Sequence, residues 1–222
     1  MLLVTTGAEY GLLNCKDADG FAQLLTLYQG AIEASEQKSA DELAAMLHNP
    51  RYKMLVARDG QSVIAFAIVY FPACGSFWLL EYMAVDPGRR SQGLGERTFQ
   101  AAKRLAAGIV AGAPCVLEVD QPDGNAPADV ASRRLRFYGR LGCRRIEGLS
   151  YILPMEKAGT PPPMWLLVHG IEDRDTLSVG EVGQWLQALY VEVYEQPSDD
   201  RRIFTMLSCL NDLAVMRLIA LA

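Results

Sequence analysis

A loop of small and polar residues lies between an apolar strand segment and a helical segment. The strand spans residues 77–85, and the loop reads Arg90, Ser91, Gln92, Gly93, Leu94 and Gly95. Glycines let a backbone come close to a ligand, and the N–H groups of a first helical turn attract anions. The helix macrodipole adds roughly half a positive charge at this end. The pattern therefore predicts a diphosphate-binding loop, although a plain helix cap would use the same glycines.

Glu81 is the one carboxylate in that apolar strand. An alkylammonium, with a pKa of about 10.4, must lose a proton before its nitrogen can attack an acyl carbon. A nearby carboxylate can take that proton, directly or through a water. Strand alternation places Glu81 on one face with Met83 and Val85, and burial there would raise its pKa toward that of a useful base. The alternative is a structural glutamate paired with an arginine.

Two motifs in order give the chain a family resemblance. The loop at 85–95 resembles the acyl-CoA-binding motif of the GNAT superfamily of N-acyltransferases, Arg/Gln-x-x-Gly-x-Gly/Ala. Downstream, the stretch at 136–143 resembles the Phe-Tyr-x-x-x-Gly-Phe signature of the same family. The Leu-Glu-x-x-x-Val spacing around Glu81 is similar to that of the polyamine acetyltransferases among its members. The resemblance covers residues 1–170 and leaves the C-terminal fifth unexplained.

The resemblance implies a donor and a mechanism. Acetyl-CoA would be the acyl donor, with direct attack by an amine in a ternary complex, no acyl-enzyme and no metal. Glu81 would be the general base. Tyr138, a phenol with an ordinary pKa of about 10, would be the general acid that protonates the departing CoA thiolate.

The resemblance also implies where the donor binds. The acyl-pantetheine arm would lie between the strand at 77–85 and the strand at 115–119, where a bulge splays the pair, and a strand amide would polarise the thioester carbonyl. The predicted donor-binding residues are Met83, Ala84, Val85, Arg90, Ser91, Gln92, Gly93, Leu94, Gly95 and Ser132.

The second motif departs from the family pattern in two places. Ala131 stands where members often carry an asparagine that contacts the pantetheine arm, with Ser132 beside it. Cys143 replaces the final aromatic, and we expect a small core residue there. Nearby arginines (133, 134, 136 and 140) would either grip the CoA 3′-phosphate or form a solvated helix face.

Nucleotide-binding alternatives to coenzyme A fit less well. The loop has no Gly-Lys-Ser/Thr to reach a β/γ-phosphate and hold magnesium. A dinucleotide-binding fold is also disfavoured. It would require the loop to lie in a parallel βαβ unit, with an acidic residue that binds the ribose about twenty residues after the loop.

The order of the predicted elements indicates an α/β fold. Helices are predicted from Asp17, from the Ser39 capping box, and over 92–107 and 128–141; strands are predicted over 52–58, 62–71, 77–85, 115–119, 144–153 and 164–168. The resemblance implies that they form a central mixed, mostly antiparallel sheet flanked by helices.

The remaining chain predicts a helical C-terminal extension at 171–222, after an acyltransferase domain at 1–170. The first of two helices carries an apolar face. A second, opened by Ser198, carries a stripe of Ile203, Leu207, Leu210, Ala214 and Leu218. This pair would pack on the core, complete the acceptor pocket or form a homodimer. The acceptor itself would be selected by residues 17–49, by the loop at 157–163 or by this extension.

The amino-acid composition further limits the partners, the location and the kinds of active site to be expected. Among 222 residues, half of them hydrophobic, the net charge of −5 disfavours nucleic acids and anionic membranes as partners and mildly favours cationic substrates. We expect no membrane span and no signal peptide. Five scattered cysteines predict a reducing, cytoplasmic location. Two histidines far apart argue against a His-rich metal site and a Ser-His-Asp hydrolase.

These observations favour an N-acetyltransferase acting on a primary amine of a small molecule. Two alternatives stay open. One is acetylation of protein lysines or N-termini, and the other is a non-catalytic acyl-CoA-binding module that interacts through its C-terminal helices. The presence of both Glu81 and Tyr138 argues against the non-catalytic module.

Overall fold

The structure is a computed structural model that describes residues 7–34, 36–122, 130–154, 163–208 and 215–221. The chain divides into two compact units. Unit 1 comprises Met1–Phe71 and Leu80–Ala111, and unit 2 comprises Pro72–Leu79 and Gly112–Ala222.

Unit 1 is built on a sheet with the order β1-β2-β3-β4. Its strands are β1 (Glu9–Leu12), β2 (Tyr52–Asp59), β3 (Ser62–Tyr70) and β4 (Trp78–Val85), whose first two residues belong to unit 2. The β1–β2 and β2–β3 pairs are antiparallel. Gly60, with φ of +59°, makes the predicted hairpin turn between β2 and β3.

Three helices belong to unit 1, and each starts at an identifiable cap. They are α1 (Ala18–Ala31), α2 (Ala40–His48) and α3 (Leu94–Ala107). The Asp17 carboxylate accepts a 2.8 Å hydrogen bond from Gly20 N at the start of α1, and Ser39 and Glu42 form the predicted capping box of α2. Helices α1 and α3 pack against β3. Helix α3 begins two residues later than predicted because Gly93 adopts the left-handed conformation.

Unit 2 continues with five strands in the order β5-β7-β6-β9-β8. They are β5 (Cys115–Asp120), β6 (Arg144–Ile146), β7 (Met164–His169), β8 (Thr176–Ser178) and β9 (Val215–Ala220). The first two residues of β4 pair with β5 in parallel, whereas the other pairs of this unit are antiparallel. The predicted α/β class with a mixed, mostly antiparallel sheet is therefore confirmed.

The helices of unit 2 are α4 (Val130–Arg140), α5 (Val179–Ala188) and α6 (Arg201–Ser208). A π-helical turn, Leu189–Val193, extends α5. Trp185 on α5 is fully buried and lies 5.7 Å from the Phe77 ring, centroid to centroid. The predicted apolar face of this helix is thus packed inside unit 2.

The predicted final helix is wrong at Val215–Ala220, which form a strand. Ile203 is buried on α6 as expected, but Leu218 lies in strand β9, and Leu210 and Ala214 fall outside the described residues. In β9, Met216 and Leu218 are buried while their neighbours are exposed or half-buried. This period of two is set by pairing with β6 and β8, which are distant in sequence.

Three further differences have local or long-range causes. The predicted strand at 144–153 ends at Ile146, where Gly148 turns the chain with φ of +78°, and resumes as one bridge between Tyr151 and Met164. Strands β1 and β8 were not predicted, because each is short and is held by its partner strand.

In the described ranges, no helix is long and apolar enough to cross a membrane. Most of the loop at 157–163 falls outside those ranges. The division into domains at 1–170 and 171–222 stays a prediction.

Candidate functional site

The loop at 86–93 is held at both of its ends by one apolar cluster in unit 1. Leu94, the first residue of α3, is buried against Ile64 and Ala65, and Val85 at the end of β4 packs on the same cluster. The fixed ends explain how a loop this polar can keep one conformation.

Two hydrogen bonds and one ion pair fix the first half of this loop. The Asp86 backbone N–H donates to the Ile64 carbonyl at 2.9 Å, and the Asp86 carboxylate accepts from Gly88 N at 2.8 Å. Arg89 pairs with Asp59 at 2.9 Å. The next basic residue, Arg90, is exposed and has no ion pair within 4.0 Å in the described part of the chain.

The second half of the loop has an unusual backbone. Ser91 (φ +62°) and Gly93 (φ +71°) both adopt the left-handed conformation, which is uncommon and costly for a serine. Gly93 caps α3 without a side-chain hydrogen bond, and a Cβ at this position would meet no atom within 4 Å. The space beside Gly93 is therefore open, as the approach of an anion to the first turn of α3 requires.

Glu81 is a buried carboxylate in β4. Its side chain is 4% exposed, and neither oxygen has a hydrogen-bond partner within 3.5 Å among the described residues. Lys38 Nζ lies 3.6 Å from Oε1. Burial raises the pKa of Glu81, and the Lys38 ammonium and the Tyr52 hydroxyl oppose that rise without cancelling it. An acid with a raised pKa is a stronger base once ionised.

The segment that carries Lys38 is fixed by two tyrosines. The Tyr28 hydroxyl accepts a 2.8 Å hydrogen bond from the Lys38 backbone N–H, and the Tyr82 hydroxyl donates to the Glu36 carbonyl at 3.3 Å. The two rings meet edge to face with centroids 5.0 Å apart. The Ser39 capping box follows at once. Tyr82 is the neighbour of Glu81 in β4, so the carboxylate and its cation are fixed by one group of contacts.

Met83, Ala84 and Val85, the strand residues predicted to bind the donor, follow Glu81 in β4. Ala84 is buried, and Met83 and Val85 are half-buried. At the loop, Gln92 is exposed and Gly95 is half-buried at the start of α3.

Tyr138 lies on α4 in unit 2 and is buried there. Burial raises the pKa of its phenol, Arg134 one turn earlier lowers it, and Cys143 and Cys115 raise it. Arg134 also pairs with Asp120 at 2.9 Å, so this arginine ties α4 to the end of β5. The hydroxyl thus stays protonated at neutral pH. Ser132, on the same helix, is half-buried.

Comparison with known proteins decides the family. The sequence profile of the acetyltransferase (GNAT) family matches residues 21–143, just over half of the chain. The chain belongs to this family. The identification made from the two motifs is thereby confirmed, as is the prediction of an acyltransferase. No curated protein sequence shows a significant match.

Solved structures agree on the fold. A GNAT-family protein from Bacteroides thetaiotaomicron has a TM-score of 0.68 at 23% identity, covering 85% of this chain and 99% of its own. An aminoglycoside 6′-N-acetyltransferase complexed with coenzyme A has a TM-score of 0.59 at 18% identity, covering 75% and 98%. The ribosomal-protein-S18-alanine N-acetyltransferase of Escherichia coli has a TM-score of 0.54 at 18% identity, covering 75% and 96%. At these identities the likeness shows the fold.

The C-terminal residues of this GNAT chain contact the acyltransferase core within unit 2. The hydroxyls of Tyr151 and Tyr194 both donate to the Glu118 carboxylate on β5, the latter at 2.6 Å, and Tyr190 donates to the Ile152 carbonyl. Tyr190 and Tyr194 come from the π-helical turn and the residue after it. This arrangement agrees with the simplest expectation for the extension, that it packs on the core.

Sequence reasoning did not identify the residues that act on the two candidate catalytic side chains. Lys38 and Tyr52 act on Glu81 and Arg134 acts on Tyr138, and Asp120 pairs with Arg134. The Arg134–Asp120 pair joins a strand end to a helix, and Lys38 is one of several charged residues between α1 and α2. Of these residues, only Arg134 could have been predicted from sequence spacing, because it lies one helical turn before Tyr138 and therefore on the same face of the helix. The described residues hold no group of three or more His, Cys, Asp or Glu side chains placed to bind a metal ion.

Replacing Glu81 with glutamine is expected to raise the free energy of unfolding at about pH 8. The folded-state pKa of Glu81 is raised above its ordinary value of 4.5, so ionising this carboxyl costs folding free energy. The cost is absent below the ordinary pKa and grows as the pH rises through the folded-state value. Urea denaturation at several pH values measures the difference.

An exposed glutamate provides the control, because Glu147→Gln should leave the free energy of unfolding nearly unchanged at every pH. If Glu81→Gln were less stable than the wild type at alkaline pH, or if its effect did not vary with pH, the interpretation of this carboxyl would be wrong.

Proposed function

We propose that the protein is an acetyl-CoA-dependent N-acetyltransferase whose acceptor is a primary amine of a small molecule. One observation carries the proposal: a buried carboxylate, the 4%-exposed side chain of Glu81, lies in the strand that leads into an exposed glycine-containing loop at the start of a helix. An acyl transfer to an amine from a phosphate-bearing donor needs these two parts, a base and an anion site.

The loop would hold the donor through its pyrophosphate. The amides that follow Ser91 and Gly93, together with the first turn of α3, supply hydrogen bonds, and Arg90 supplies charge. The aminoglycoside 6′-N-acetyltransferase of similar fold was solved with coenzyme A, which supports this ligand. Backbone amides of Met83, Ala84 or Val85 would polarise the thioester carbonyl as charge develops on its oxygen.

Glu81 would act as the general base. The acceptor arrives as an ammonium ion and must transfer a proton before its nitrogen attacks the thioester carbon. Burial disfavours the ionised form of Glu81, so accepting a proton relieves that cost. The neutral amine then forms the new C–N bond, the C–S bond breaks and the CoA thiolate leaves. The nitrogen gives up a second proton as the amide forms, and this proton is released to solvent.

Tyr138 would protonate that thiolate. Its raised pKa keeps the phenol neutral and able to donate a hydrogen bond throughout the working pH range. The positive charge of Arg134, which pairs with Asp120, stabilises the phenolate that forms when the proton leaves.

For the acceptor we infer a chemical class, whereas for the donor we infer one compound. The negative net charge favours cationic amines, and two solved structures of similar fold are aminoglycoside 6′-acetyltransferases. A polyamine, an aminoglycoside, an amino acid and a lysine-containing peptide therefore form the test panel. Incubating the protein with acetyl-CoA and each amine should release free CoA with at least one small amine. Measurable CoA binding without CoA release would instead support the non-catalytic acyl-CoA-binding alternative.

Replacing Gly93 with alanine is expected to raise the Kd for acetyl-CoA roughly tenfold or more, because a methyl group would occupy the space where the anion approaches the amides. Isothermal titration calorimetry with acetyl-CoA measures the change. Gly60→Ala is a matched control, since Gly60 also has a positive φ (+59°) and no atom within 4 Å of its Cβ position. Equal effects of the two substitutions on acetyl-CoA binding would exclude the loop as the donor site.

Replacing Glu81 with glutamine and Tyr138 with phenylalanine should each lower kcat/KM for the best amine by roughly 10²–10⁴-fold. The acidic limb of the wild-type pH profile should lie above 4.5, since burial raises the Glu81 pKa, and it should vanish in Glu81→Gln.

Tyr10→Phe serves as a control for the tyrosine, because it also removes a hydroxyl hydrogen bond, the 3.2 Å contact with Thr98. It should retain near-wild-type activity. If Glu81→Gln kept both its rate and the acidic limb, another residue would be the base.

A further inference from the structure

The chain places one of its own primary amines beside the candidate base. Lys38 Nζ lies 3.6 Å from Glu81 Oε1, and the lysine side chain is 20% exposed while the glutamate side chain is 4% exposed. The pair is therefore largely buried, with the lysine side chain more exposed than the glutamate side chain.

Lys38 is held there by its backbone. The Tyr28 hydroxyl accepts from the Lys38 N–H at 2.8 Å, and the next residue, Ser39, begins the capping box of α2. Just before it, the Gln37 amide donates to the Gln29 and Ile32 carbonyls at 2.9 and 2.7 Å. The fold thus fixes the backbone from which the Lys38 side chain extends, and the ion pair with Glu81 accounts for the position of the amine.

An acceptor amine must meet the same geometric condition. Its nitrogen has to come within hydrogen-bond reach of the base, directly or through one water, before it can lose a proton. Lys38 Nζ, at 3.6 Å, is within a small side-chain adjustment of that reach. It also carries the functional group that the proposed reaction acylates.

We propose that Lys38 is an internal acceptor, and that the protein acetylates this lysine from bound acetyl-CoA. The inference rests on the proposed function, because it uses the same donor and the same base.

The chemical step balances without a further reactant. Lys38 transfers one proton to Glu81, and its neutral nitrogen attacks the thioester carbon. A C–N bond forms and the C–S bond breaks, so that the acetyl group ends on Nζ as an amide. The nitrogen gives up a second proton as the amide forms, and the departing CoA thiolate takes up one proton in exchange, so that free CoA is released. The acetylated lysine is uncharged, so the cation beside Glu81 is lost. Glu81, which holds the first proton as a neutral acid after the step, releases it to solvent to regenerate the carboxylate.

Among the lysines that the structure describes, Lys38 is the one for which an ion pair with Glu81 is found. The chain has five in all. Lys53 donates to the Pro50 carbonyl at 2.6 Å, Lys16 is exposed on a turn and Lys103 is on α3. Lys157 lies outside the described residues. Lys53 is the best internal reference, because it is a well-defined lysine far in sequence from the base.

The test is to incubate the purified full-length protein with acetyl-CoA and to follow acetylation of each lysine by peptide mass spectrometry. Lys38 should gain one acetyl group at least about 100-fold faster than Lys53, the lower end of general-base catalysis. The reaction should be first order, with a rate constant independent of protein concentration, since donor and acceptor share one chain. Lys53→Arg should not change the rate at Lys38.

The variants separate enzymatic from spontaneous modification. Glu81→Gln should slow acetylation of Lys38 to the rate seen at Lys53, and Lys38→Arg should abolish that acetyl group while keeping the positive charge. Circular dichroism establishes that each variant is folded. Equal rates at Lys38 and Lys53, or an unchanged rate in Glu81→Gln, would overturn the proposal.

The amine panel distinguishes failure of the internal-acceptor proposal from failure of the proposed acetyltransferase function. CoA release with a free amine but no acetylation of Lys38 would overturn the internal acceptor alone, and Lys38 would then be a counter-ion. Absence of both would overturn the acetyltransferase proposal and the internal acceptor with it.

Discussion

The burial of the Glu81 carboxylate against the Lys38 ammonium is the constraint on which the rest of the site depends. A carboxylate this deeply buried, without a hydrogen-bond partner within 3.5 Å in the described residues, is costly. The fold retains it through the edge-to-face contact of Tyr28 and Tyr82 and the hydrogen bonds that both tyrosines make to the segment carrying Lys38. The pKa of this carboxyl is raised by its burial, and carboxyl groups with raised pKa values are concentrated at functional sites.

The loop at 86–93, which we propose binds the donor, has the opposite requirement. It must expose polar backbone groups to solvent, so its order comes from its ends, where Val85 and Leu94 pack on one apolar cluster. Ser91 holds a left-handed conformation that is unfavourable for its residue type. The base and the loop share strand β4 and its continuation. Strand β4 and the loop that follows it therefore contain both a buried carboxylate and an exposed loop proposed to bind an anion. Residues distant in sequence hold each of them in place.

Local patterns were sufficient for the elements that carry the site. The capping box at Ser39, the hairpin at Gly60 and the helix after Gly93 follow from nearby residues, and the structure has all three. Strands β8 and β9 were not predicted, because their pairing joins segments far apart in sequence. Lys38 was not identified for the same reason, since no local period relates it to Glu81. The mechanism, in contrast, came from family motifs and still awaits experiment.

The pKa of the Glu81 carboxyl tests this account most directly. It can be measured by carbon-13 NMR titration of protein labelled at the glutamate side chains, with Glu81→Gln to assign the signal and Lys38→Met to remove the cation. The account predicts a midpoint above the ordinary value of 4.5 in the wild-type protein and a higher one in Lys38→Met, because the ammonium opposes the effect of burial. A midpoint at or below 4.5, or one that Lys38→Met leaves unchanged, would contradict it.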